Sequence, residues 1–97
     1  MDYFNQIVNR LNAQDLEILA YLSNQSATIA LNAKNKQEIT SFSGFTDGIF
    51  RKVISRLETL CLIESIGEGR AYAYYLTDYG VTALNRMVNE IQAANIK

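Results

Sequence analysis

The sequence has no histidine and only one cysteine, Cys61, among its 97 residues. Without histidine the commonest general base is missing, and a Ser, Thr or Cys nucleophile would need a lysine or a carboxylate to activate it. No such constellation is found. Asp15 and Glu17 sit two apart on one helix, where they do not face each other, and read as solvated surface. A single cysteine excludes an intramolecular disulfide, and a zinc site would have to be assembled from carboxylates. The glycines of "SGFTDG" and "GEG" lack the spacing of a phosphate-cradling loop. No enzymatic activity, catalytic residue, metal or cofactor is therefore expected. No apolar run approaches the roughly 18 residues of a membrane span, and Met1-Asp2-Tyr3 carries no basic leader. A cytoplasmic location with no membrane partner is expected.

What is present is ordinary for a globular chain: 48% hydrophobic and 20% charged residues. The length predicts one domain, residues 1–97, whose core is small enough for pairing with a second copy to add stability. Tyr3, Phe4, Ile7, Val8 and Leu11 fall at helical spacing, and a second helix restarts at Asn12, an N-cap with Asp15 three residues on. "ATIAL", residues 27–31, predicts a small edge strand. "KQEITSFSGFTDGIFRKVISRLETL" then reads as helix, tight turn, helix, with Gly44 in the turn and Thr46 as the second N-cap.

Ile39, Gly44, Phe45, Phe50 and Val53 have the spacing of a helix-turn-helix. On the second of its helices Ile49, Phe50, Val53, Ile54, Leu57 and Leu60 span an arc of about 140°. Gly48, Arg51, Lys52, Ser55 and Thr59 occupy the opposite side. A cation on that outer face can reach a base edge or a phosphate, and Gly48 allows close backbone approach. The alternative is an ordinary solvated face of an amphipathic helix. The residues that follow favour the first reading. "LIESIGEGRAYAYYLT" makes two alternating strands around a Gly-Glu-Gly-Arg tip, a wing whose Gly69 and Arg70 would lie against a flanking phosphate or the minor groove. Tyr72 and Tyr74 share a face with Leu76 and are expected to pack on the domain. Thr77 caps a last helix bearing Val81, Leu84, Val88 and Ile91, with Met87 widening the stripe.

The fold class expected is thus mainly α with a small β-hairpin wing, a winged helix-turn-helix. The expected DNA-binding residues are Lys36, Thr46, Gly48, Arg51, Lys52, Ser55, Gly69 and Arg70. Net charge is −1 and the pI near 5.3, against the trend for nucleic-acid binders. The distribution is more favourable. Residues 34–70 carry six basic and five acidic side chains, whereas residues 1–33 set Arg10 against Asp2, Asp15 and Glu17. The three acids make a candidate surface for a basic protein partner. Apolar stripes on the second helix-turn-helix helix and the last helix supply a candidate dimer interface of Ile49, Val53, Val81, Leu84 and Val88; deeper core packing explains the wide arc equally well.

"ITSFSGFTDGIFRKVISRLETLCLIESIGEGRAYAYYLTDYG" resembles the winged helix-turn-helix of MarR- and PadR-type regulators, including the Leu76-Thr77-x-x-Gly80 helix start. It departs from the MarR pattern where Cys61 replaces the usual glycine and where the wing lacks Asp-x-Arg. With "ATIALNAKNKQEI" and "IGEGRAYAYYLTDYGV" included, the chain is more similar to the TubR family of plasmid and phage partition adaptors. That resemblance implies a homodimer on repeated centromere sites in double-stranded DNA, repression of its own operon, and presentation of the DNA to the tubulin-like GTPase TubZ. It also implies recognition helices at the dimer interface. A small dimeric transcriptional repressor, or a winged-helix module that binds only protein, are the alternatives.

Overall fold

The computed structural model describes Gln6, residues 10–67 and residues 72–95, with side chains of the last helix as far as Asn89. The helix expected near Tyr3 to Leu11 falls mostly outside these residues; Gln6 and Arg10 are helical.

Helix α1, Ala13–Asn24, starts at the expected capping box: the Asp15 N–H donates to Asn12 Oδ1 (3.0 Å) and the Asn12 N–H to Asp15 Oδ2 (2.9 Å). It ends with Ser26 in the left-handed region (φ 55°), the Ala27 N–H donating to the Leu22 carbonyl and the Ser26 N–H to that of Ser23. This pair of bonds is a Schellman closure. It also explains why the expected strand at residues 27–31 does not form. Ala27 is buried with its N–H committed to α1, and the chain then leaves the core, exposing Ile29 and Leu31 (88% exposed) and making a 3₁₀ turn, Ala30–Asn32. The Ala27 carbonyl reaches the sheet, accepting from the Leu76 N–H at 2.7 Å. Local turn closure overrode β propensity.

The strand that does form, β1, is Lys34–Asn35. Asn35 caps α2, Lys36–Ser43, in a second capping box with Glu38, and α2 stops at Gly44 (φ 74°). Thr46 caps α3, Asp47–Thr59, by accepting from the Ile49 N–H, as the sequence predicts. Strands β2, Ile63–Ile66, and β3, Ala73–Leu76, pair antiparallel with Ile63 opposite Leu76 and Ile66 opposite Ala73. β1 pairs on the other side of β3, so the sheet order is β1-β3-β2. Helix α4, Asp78–Asn95, packs on α1 and β3.

One core joins these elements. Ile18, Leu19 and Leu22 of α1 meet Ile39 of α2, Phe50, Val53, Ile54 and Leu57 of α3, Leu62, Ile63 and Leu76 of the hairpin, and Ala83, Leu84 and Met87 of α4. The junction between α3 and α4 is tight. Thr77 Oγ1 donates to the Cys61 carbonyl (2.6 Å) and accepts from the Gly80 N–H (3.0 Å), while the Thr77 N–H donates to the Leu62 carbonyl. A Cβ on Gly80 would collide with that Leu62 oxygen. The Leu76-Thr77-x-x-Gly80 pattern thus records a backbone approach that only glycine permits.

Candidate nucleic-acid interface

Helix α3 is split as its periodicity predicts. Phe50, Val53, Ile54 and Leu57 are buried; Gly48, Arg51, Lys52, Ser55 and Thr59 are exposed. Thr46, at its start, is exposed as well. A Cβ at Gly48 would meet nothing within 4 Å, so the fold itself does not demand glycine there. The outer face is therefore low in relief next to its cations.

Ion pairing separates the basic residues of this region. Lys34 Nζ lies 3.7 Å from Glu38 Oε2 and Lys36 Nζ 2.8 Å from Asp47 Oδ1. Arg56 donates from Nε (3.0 Å) and Nη2 (2.8 Å) to Asp15 Oδ1. Arg51 and Lys52 form no ion pair among the described residues. The hydrogen bond from Lys36, with its charge, holds the Asp47 carboxyl below the usual carboxylate value; partial desolvation opposes this and Arg51 adds to it. Lys36 also sits 5.9 Å from the Phe50 ring centroid. It bridges α2 and α3.

The wing is rooted on this unit. Tyr74 packs edge-on against Phe50 (centroids 5.8 Å apart, 71°), and its burial raises the phenol pKa, with smaller contributions from Glu58 and Tyr72. Tyr74 is half-buried as expected, whereas Tyr72, beyond the last paired residues, keeps 45% exposure. Tyr75, on the other face, donates its hydroxyl to Glu64, which raises its pKa. Gly69 and Arg70 of the tip lie outside the described residues.

Three expectations need correcting. Asp15 is not solvated surface but fully buried, held by Arg56 and by its own cap. It cannot offer an acidic contact to a partner. Asp2 lies outside the described residues, and Glu17 is half-buried on α1. Val53 and Leu84, expected at a dimer contact, belong to the chain's own core (0% and 6% exposed). Ile49 and Val81 are half-buried against that core, and Val88 alone of the set is exposed, at 39%. The wide apolar arc of α3 is used chiefly inside the chain.

Sequence reasoning also missed two contacts at this surface. The Lys36–Asp47 pair spans the turn, and Phe42 of α2, 56% exposed, stacks on Tyr21 of α1 (centroids 4.5 Å apart). Neither has a local periodic signal; both depend on how α2 sits between its neighbours.

No protein-family model matches the chain. It is similar to the DNA-binding protein TubR of Priestia megaterium (strain ATCC 12872 / QMB1551), with 28% identity over 88 residues covering 91% of this chain and 87% of that protein. Its fold superposes on the structure of TubR from Bacillus megaterium pBM400 with a TM-score of 0.85 and 28% identity, covering 91% of this chain and 98% of the other. A DNA-binding TubR fragment from Clostridium botulinum, 19% identical, shares the fold with a TM-score of 0.65 over 79% of this chain and 96% of the fragment. In sequence and in fold together the chain is similar to TubR over nine-tenths of its length.

Proposed function

We propose that the chain is a sequence-specific DNA-binding protein, the centromere-binding adaptor of a tubulin-like partition system and the repressor of its own operon. The observation that carries this is the outer face of α3. Arg51 and Lys52 stand there in no direct ion pair among the described residues, next to Gly48 and Ser55. The opposite face is locked in the core. An arginine so placed can address a guanine edge bidentately, and a lysine a base or a phosphate. The Priestia megaterium TubR, named as DNA-binding, supports the reading.

The active species is a homodimer on repeated sites, since Arg51 and Lys52 of one chain give little affinity alone and linked copies multiply it. The exposed Val88 of α4 and the half-buried Ile49 of α3 are apolar side chains open to the second copy. The further partner is a tubulin-like GTPase. It rests on the family resemblance, because burial of Asp15 removes the acidic surface that the sequence suggested on α1.

A mobility-shift titration with the DNA upstream of the gene tests the reading. Discrete, saturable complexes are expected, abolished by neither scrambled competitor nor moderate salt. Pull-down of a neighbouring GTPase on that DNA, only with this protein present, separates adaptor from simple repressor. If wild-type protein distinguishes upstream from scrambled DNA no better than a basic peptide does, the reading fails.

A further inference from the structure

The α3 surface proposed to meet DNA carries an anion among its cations. Asp47 is the first residue of α3, between Thr46 and Gly48, and its side chain is 72% exposed. An acid at a helix start is favoured by the helix dipole. That preference explains Asp47 in isolation but not its 2.8 Å contact with a lysine from the other helix of the motif. Lys36, itself 42% exposed, is steadied beside the Phe50 ring with its charge answered by this carboxylate. A DNA phosphate at the start of α3 would seek the same place. It too is an anionic oxygen accepting from an ammonium, and the helix N-terminus favours it in the same way.

We infer that Asp47 is a specificity-determining residue, which occupies Lys36 in the free protein and repels a DNA backbone not held in register. The inference rests on the DNA-binding role proposed above. Its logic is a difference between two complexes. On arbitrary DNA the attraction is almost entirely to phosphate, so an acid at the start of the face is felt in full. On the correct site Arg51 and Lys52 hold the helix by base contacts as well, and a phosphate fixed in position can displace Asp47 from Lys36. Asp47 therefore subtracts more from the wrong complex than from the right one, which is how a repulsive element creates discrimination.

The test compares wild type with Asp47→Asn by fluorescence anisotropy over a salt series, on the upstream duplex and on a scrambled duplex of the same composition. Affinity for scrambled DNA should rise about tenfold and for upstream DNA about twofold, so that discrimination falls. The log–log salt slope on scrambled DNA should steepen by about one per chain, reflecting the freed lysine. Lys36→Gln combined with Asp47→Asn should return the slope to the wild-type value, since the freed cation is then absent. Equal gains on both duplexes, or an unchanged slope, overturn the inference. Weaker binding to upstream DNA with scrambled binding unaltered also overturns it, making Asp47 a direct base contact. Wild type that binds neither duplex sinks the DNA-binding reading itself, and the inference with it; wild type that binds while Asp47→Asn changes nothing sinks the inference alone.

Discussion

On the inner side of α3 Arg56 reaches a carboxylate, Asp15, with no exposure at all; on the outer side Lys36 reaches Asp47, which is 72% exposed, and both contacts measure 2.8 Å. Distance alone would rank them equal. Burial makes them different. The inner carboxylate has left water and depends on Arg56 and on the Asn12 N–H for every interaction that replaces hydration. The outer one can exchange its lysine for water at small cost. The first pair therefore fixes where α3 lies against α1, while the second leaves the surface of α3 open to competition.

Breaking the inner pair should have the largest effect. Arg56→Ala strands a fully buried carboxylate, and a loss of about 3–5 kcal/mol in urea unfolding is expected. Gly80→Ala should come next, at about 1–3 kcal/mol, because its Cβ would force the α4 start away from the Leu62 carbonyl. On the outer side, Arg51→Ala should leave the urea midpoint almost unmoved yet cost about 1–3 kcal/mol in binding to upstream DNA, with relaxed specificity at one base. A stability loss there as large as that of Arg56→Ala would erase the distinction between the two sides. Cys61→Gly should stabilise the fold by about 1 kcal/mol, since Cys61 is held at φ 62° in the Schellman closure of α3, with the Leu62 N–H on the Leu57 carbonyl.

The smallest effect is one of pH. Because Asp47 is held below its ordinary value of 3.8, its pairing contributes fully above that unfolded value and is lost only as pH falls through the lower folded one. Unfolding curves of wild type and Asp47→Asn should accordingly differ by the same small amount from pH 6 to pH 8, and converge only in strong acid.

These contrasts also mark where the sequence was readable. Asn12 with Asp15, Thr46 with Ile49, and Thr77 with Gly80 each act across three residues, and Gly44 acts alone; such local chemistry is visible in the linear chain. So was the alternation that makes β2 and β3, and the two faces of α3. The buried role of Asp15 was hidden because its partner lies 41 residues away. Val53 and Leu84 looked available to a second copy because periodicity gives a stripe without saying how much of it the chain covers itself. The strand expected at residues 27–31 failed for a different reason. Its residue types favour a sheet, but the left-handed turn at Ser26 had already spent the Ala27 N–H.

The clamp at the foot of the hairpin has an entropic consequence. Leu62 and Thr77 are bonded to each other just outside the two strands, so the wing is a loop closed at its base by contacts that do not involve its tip. Each doubling of a flexible loop costs only about 0.6 kcal/mol once its ends are fixed. The pairing of β2 with β3 therefore starts from two stretches of chain already held together at Leu62 and Thr77, so most of the closure cost is met at the foot of the hairpin.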